Sequence, residues 1–293
     1  MQIKTVLILS PGEMGAAVGH AFHQSGFEIL GVFNDRTRTT QKRAIDAGFK
    51  DAGSLNIGLK NADIVLSILP PAHALHMAKK VADGMRETGA IPPYVDCNAI
   101  SPETAKSVAI TISKAGSKPI DVGIVGNPPK QNSTPPRFFA SGVDAKLMDT
   151  FSNAGIVVKN CGQEIGQASA VKMVYAGITK GVSALCANML IAADKLGVAD
   201  TAHEELMLSQ DFLYRRMQNL TPSLPAVSER YIGEMEEIAK TCRAIGITAG
   251  FHDGAADLYR LMSRSPFSKE TRETVDQDRD MRSTIITCSK INS

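Results

Sequence analysis

Ser10-Pro11-Gly12-Glu13-Met14-Gly15 has the residue types and spacing of a loop that holds a dinucleotide pyrophosphate. Gly12 would let the backbone approach an anion, and Gly15 would let the following helix pack tightly on the preceding strand. The helix N-terminus then offers unpaired N–H groups and a partial positive charge to phosphate oxygens. Serine at position 10 departs from the first glycine of the G-x-G-x-x-G pattern. A tight strand–helix turn would by itself use these glycines, but a β-branched run before them and helical spacing after them favour the nucleotide reading. Pro11, Gly12, Glu13, Met14 and Gly15 are the cofactor contacts expected here.

The end of the next strand should choose between NAD and NADP, and Phe33-Asn34-Asp35-Arg36-Thr37-Arg38 sends two signals. Asp35 stands where a carboxylate would bond a ribose 2′-hydroxyl. Arg36, Thr37 and Arg38 offer guanidinium and hydroxyl groups suited to a 2′-phosphate dianion. A carboxylate facing that dianion would repel it, so the readings compete. NADP is favoured over NAD, with Asp35 turned away and Asn34, Arg36 and Thr37 lining the site; an ordinary solvated loop is the plain alternative.

Other chemistry-bearing residues say less. Lys172 is set among Ala168, Ala170, Val171, Met173 and Val174, although the commonest fate of a helical lysine is a charged surface. His20 and His23, and His73 and His76, are spaced to share a helix face, but neither pair has a third metal ligand nearby. His203-Glu204-Glu205 does not complete the H-E-x-x-H zinc pattern, so no metal is expected. Arg215, Arg216 and Arg230 read as charged helix faces rather than an acid-binding cluster.

The elements that must position these residues alternate at first. Residues 3–9, 27–33, 62–69, 94–97 and 120–125 are apolar, strand-like runs, and residues 15–24, 72–85 and 102–115 have helical spacing. Such alternation argues for a doubly wound parallel sheet with helices on both faces. Residues 127–136 read as a loop. The character changes near residue 160, after which no convincing strand appears. A proline-free stretch over about residues 164–196 reads as a long spine helix, followed by helices near 201–220, 226–245, 250–263 and 268–280. Domains are therefore expected at 1–162 and 163–293.

Composition sets the outer bounds. The 293 residues suit two domains, with 43% hydrophobic and 21% charged residues close to the globular average. A formal charge of +2 leaves no broad field for nucleic acid. Five cysteines, widely spaced and without a C-x-x-C pair, argue against a disulfide framework and for a reducing cytoplasm. No uncharged apolar run reaches the roughly 18 residues of a spanning helix, so no membrane partner is expected.

Four segments together resemble the β-hydroxyacid dehydrogenase family, which includes 6-phosphogluconate dehydrogenase and 3-hydroxyisobutyrate dehydrogenase. They also resemble a less characterised bacterial branch with a 6-phosphogluconate-dehydrogenase-like C-terminal domain. The segments are Glu13-Met14-Gly15; the strand ending Ser67-Ile68-Leu69-Pro70-Pro71; Asp96-Cys97-Asn98-Ala99-Ile100-Ser101-Pro102; and Gly166-Gln167-Ala168-Ser169-Ala170-Val171-Lys172-Met173-Val174. The resemblance implies a Rossmann-type sheet, a long interdomain helix and an all-α C-terminal domain that pairs as a homodimer. It also implies that Leu69 and Pro70 line the cofactor cleft and that Lys172 is the general acid/base of alcohol oxidation and its reversal. Burial would push such an amine towards a neutral pKa, where it exchanges protons near pH 7.

The expected substrate contacts are Asn98, Tyr175, and Gly123 and Gly126 of Asp121-Val122-Gly123-Ile124-Val125-Gly126-Asn127, which resembles the family's substrate loop. Asn98 could instead tie down its own turn, and Tyr175 could simply be packed. Asparagine replaces the usual serine at 98, valine stands at 125, and Tyr175 and Ala176 occupy the place of the family's asparagine. The substrate thus stays open within small hydroxy- and ketoacids. An imine reductase on the same scaffold, or a catalytically silent NADPH-binding protein, is the alternative.

Overall fold

A computed structural model describes residues 2–34, 36–271 and 274–291. The chain forms two compact units that divide between Met173 and Val174, within the long helix and later than residue 162.

The first unit holds eight strands: β1 (Thr5–Ile8), β2 (Glu28–Gly31), β3 (Phe49–Asp51), β4 (Ile64–Ser67), β5 (Tyr94–Asp96), β6 (Pro119–Val125), β7 (Arg137–Ser141) and β8 (Val157–Gly162). They form one sheet in the order β3-β2-β1-β4-β5-β6-β7-β8, parallel throughout except where β7 runs against β6. Between strands lie α1 (Glu13–Gln24), α2 (Arg38–Asp46), α3 (Leu55–Asn61), α4 (Ala74–Thr88) and α5 (Pro102–Ser113). The sheet is α/β with the strand order 3-2-1-4-5-6 of a dinucleotide-binding fold, extended by two strands.

The central strands are apolar because both faces are covered. Val6, Ile8, Ile64, Leu66, Val95 and Ile120 pack with Val18 and Phe22 of α1 on one side. Leu7, Val65 and Tyr94 pack with Ala78, Val81 and Ile112 of α4 and α5 on the other. Ser101 caps α5 by accepting from Thr104 N–H, with Pro102 in the first turn, so the chain leaves β5 at a defined angle.

The second unit is helical among its described residues. It contains the rest of α6 (Gln167–Lys195), then α7 (Ala199–Ser209), α8 (Asp211–Leu220), α9 (Leu224–Ala244), α10 (Gly250–Met262) and α11 (Met281–Ser289). Lys180 pairs with Glu234 and lies 4.0 Å from the Tyr231 ring centroid, while Tyr259 Oη donates to Lys180 O at 2.8 Å. By length and composition α6 is apolar enough to cross a membrane, and 44% of its most apolar window is buried within the protein.

Several expectations need correction. The helix expected over 201–220 breaks at Gln210 into α7 and α8. Among the described residues of 268–280 there is only the end of a short 3₁₀ turn, Pro266–Lys269, and α11 begins where Asp280 caps it. Strands β3, β7 and β8 and helices α2 and α3 are additions.

Candidate functional site

The glycine loop joins β1 to α1, with Pro11 buried and Glu13 and Met14 half-buried. Gly12 occupies the N-cap at φ −65°, and no side chain caps the helix. A Cβ on Gly12 would meet nothing nearer than Ser10 Oγ at 4.0 Å, so neither space nor backbone angle demands glycine there. Gly15 differs, because its Cβ would lie 2.0 Å from Ser10 O. An open position at the mouth of an uncapped 12-residue helix, over a tightly packed glycine, fits an approaching pyrophosphate.

Arg36 turns back across the sheet edge and donates from Nη2 to Leu9 O at 2.9 Å, which places its guanidinium beside the glycine loop. Gln41 braces this turn by donating to Phe33 O and Arg36 O at 3.3 and 3.0 Å. Asn34 donates to Gly53 O at 2.6 Å, and the Thr37 hydroxyl caps α2 by accepting from Thr40 N–H. Asp35 lies outside the described residues.

The ends of β4 and β5 are stitched together by Asn98. Its Oδ1 accepts from Leu69 N–H at 2.6 Å and its Nδ2 donates to Ser67 Oγ at 3.1 Å. Asn98 N–H in turn bonds Asp96 Oδ1 at 2.9 Å. The Asn98 amide is thus engaged within the fold and 2% exposed, while Leu69 is half-buried and Pro70 exposed. Burial, opposed by hydrogen bonding from Asn98 and reinforced by the Asp121 carboxylate, raises the Asp96 carboxyl to about 7.

Lys172, half-buried on α6, donates from Nζ to Ile124 O of β6 at 2.7 Å. Gly123 makes the approach possible, since a Cβ there would fall 2.6 Å from Ala168 O and 2.9 Å from Lys172 Cβ. Gly126 ends β6 with φ +123°, a conformation that favours glycine, and Gly126 and Asn127 are exposed. Tyr175 falls beyond the unit boundary and is 44% exposed.

The structure therefore brings Arg36 to the glycine loop, Asn98 to Leu69, and Gly123 to Lys172. Residues not singled out from sequence also converge: Ser67, Asp96, Asp121, Ser141 and Ser169. Their signal was a polar group at the end of an apolar strand or helix turn, which burial obliges to find partners. His20, His23, His73 and His76 are exposed, and the described residues contain no cluster of three metal-ligating side chains.

The chain is similar to several known proteins. Residues 8–177 match the family described as the NAD binding domain of 6-phosphogluconate dehydrogenase, and residues 193–262 match a domain of unknown function. An uncharacterised 28.5 kDa protein of Methanothermus fervidus is 28% identical over 195 residues, covering 67% of this chain and 73% of its own. A solved conserved protein of unknown function, described as structurally similar to 3-hydroxyacid dehydrogenases, is 27% identical with a TM-score of 0.64, covering 88% and 98% of the two chains. The 3-hydroxyisobutyrate dehydrogenase of Mycobacterium tuberculosis, solved with L-serine, has a TM-score of 0.66 at 17% identity, covering 98% and 99%. An imine reductase of Streptomyces aurantiacus has a TM-score of 0.52 at 19% identity, covering 93% and 98%.

Proposed function

Because the chain belongs to the β-hydroxyacid dehydrogenase family of NAD(P)-dependent oxidoreductases acting on CH–OH groups, we propose that its substrate is a small hydroxyacid or ketoacid and that Lys172 is its general acid/base. The observation that carries this reading is the placement of Lys172. Its amine is tethered to Ile124 O near the carboxyl end of β6, the last strand of the parallel run, and open α/β sheets bind their ligands outside the carboxyl ends of their strands. Bound there, the nicotinamide would accept or supply the hydride. Lys172 takes the hydroxyl proton on oxidation and returns it to the carbonyl oxygen on reduction.

Residues 11–15 would hold the pyrophosphate, and Leu69 and Pro70 would edge the cofactor. NADP is preferred because the Arg36 guanidinium spends one donor on Leu9 O and has others for a 2′-phosphate. Thr37 is engaged as a helix cap, which makes Arg36 the main discriminator. Asn98 and Gly123 contribute by shaping, holding Leu69 and admitting Lys172, while the exposed Gly126-Asn127 backbone meets the substrate. The exposed apolar residues Val174, Ile178, Leu185 and Met189 on α6 support a homodimer.

NADPH and NADH titrations followed by fluorescence, then a screen of 3-hydroxyacids, their phosphorylated analogues and cyclic imines, test the proposal. NADP+-linked oxidation of a hydroxyacid, abolished in Lys172→Ala, is expected. Turnover of imines alone would make the protein an imine reductase, and cofactor binding without turnover of any of them would make it a silent binder.

A further inference from the structure

Asp121 is 2% exposed on β6, and its carboxylate accepts four hydrogen bonds. Oδ2 takes Ser141 Oγ at 3.1 Å, Gly166 N at 2.9 Å and Ser169 N at 3.0 Å, and Oδ1 takes Ser169 Oγ at 2.6 Å. Ser141 Oγ accepts from Ala168 N at 3.0 Å, so three amide groups at the start of α6 end on Asp121 or on the serine it holds. A carboxylate at a helix N-terminus satisfies orphan donors and complements the helix dipole, and its ionised bonds are the strong kind.

These contacts continue along the same two elements. Two residues beyond Asp121, bare Gly123 lets α6 approach until Ala168 O and Lys172 Cβ nearly fill the place of a side chain. One residue further, Ile124 O receives Lys172 Nζ. Lys172 is three positions after Ser169, close to one helical turn. A shift or rotation of α6 that broke the Asp121–Ser169 bond would therefore move the amine off Ile124.

We infer that Asp121 is a positioning residue for the reaction: by clamping the first turn of α6 to β6 it sets where the Lys172 amine stands. The inference rests on the reading of Lys172 as acid/base and adds the group that orients it. Asp121 acts through the helix and not on the reacting atoms.

The test compares full-length wild type, Asp121→Asn, Ser169→Ala and Lys172→Ala. Asp121→Asn keeps the shape but turns an acceptor into a donor; Ser169→Ala removes one hydrogen bond and serves if the first variant fails to fold. Two readouts are taken on folded protein: the rate of Lys172 reductive methylation by formaldehyde and cyanoborohydride, resolved by mass spectrometry, and the pH profile of kcat. The expected result is a severalfold change in Lys172 methylation with exposed Lys50 unchanged. A displaced midpoint in the kcat profile and a kcat lower by about tenfold to a hundredfold should accompany it. A merely structural cap would lower thermal stability and leave the methylation rate and the midpoint at their wild-type values in both variants, and that result would overturn the inference. Retained turnover in Lys172→Ala would overturn the acid/base reading instead, while the methylation rates still decide whether Asp121 positions the amine.

Discussion

Lys172 and Ile124 are joined amine to carbonyl at 2.7 Å, so the amine of Lys172 is fixed against the backbone of β6. An amine held this way has lost most of its rotamer freedom before any substrate arrives, which lowers the cost of placing it during reaction. Replacing it with methionine keeps much of the aliphatic stem and removes the proton. Lys172→Met should cut turnover by about a hundredfold to ten-thousandfold, the usual worth of a general acid/base, and leave the NADPH dissociation constant unchanged. Steady-state kinetics beside a fluorescence titration checks both halves. A matching loss of cofactor affinity would mean that Lys172 holds the cofactor rather than a proton.

Gly12 and Gly15 are three residues apart and should fail differently. A methyl group on Gly12 enters open space, whereas one on Gly15 would meet Ser10 O at 2.0 Å. Gly12→Ala should fold like wild type and bind NADPH more weakly, because the methyl occupies the anion's approach. Gly15→Ala should lose stability by about 1–3 kcal/mol, the range for forced overpacking. Urea denaturation with and without NADPH separates the two. Equal destabilisation by both substitutions would contradict the assignment of Gly12 to the ligand.

The parts legible from sequence were those whose partners are local or whose burial is complete. Strands β1, β2, β4, β5 and β6 are recognisable because both faces are covered, which demands continuous apolar runs. Strand β3 escapes because only Phe49 is buried while Lys50 and Asp51 face solvent, and β8, at the other edge, carries exposed Val157, Lys159 and Asn160. Lys172 was visible through its apolar neighbours in sequence. Its support was not, since Asp121 meets Ser141 across 20 positions and Ser169 across 48, and no local pattern encodes such pairs. Asn98 shows the same limit, because its partner Leu69 is 29 positions away.

Arg36 combines a structural bond with the proposed discrimination between cofactors, and substitution should expose both. Arg36→Ser removes the bond to Leu9 O and the positive charge beside the glycine loop. A charge-assisted hydrogen bond is worth about 1.5–3 kcal/mol, so NADPH affinity should fall by roughly tenfold to a hundredfold. NADH, which has no 2′-phosphate, should lose little. The ratio of the two dissociation constants, measured in one buffer, is the relevant quantity. If both affinities fell together, Arg36 would be bracing the loop without reading the phosphate.

Asp96 should leave a signature in the pH dependence of stability. It faces Asp121 in register across β5 and β6, and its Oδ2 is buried without a hydrogen bond from any described residue. Burial, opposed by the Asn98 hydrogen bond and reinforced by Asp121, raises the carboxyl from 3.8 to about 7. The folded protein therefore holds this proton at pH values where the unfolded chain has released it. Where the native state binds more protons, stability falls as pH rises, so the loss runs from about pH 4 to about pH 7 and then levels off. Its slope is at most about 1.4 kcal/mol per pH unit. Asp96→Asn cannot ionise, yet its amide oxygen still accepts from Asn98 N–H, so Leu69 keeps its place. Urea denaturation at about pH 5 and about pH 7.5 should show the variant gaining on wild type at the higher pH. Parallel pH dependence in the two proteins would mean that Asp96 is ionised in the fold despite its burial.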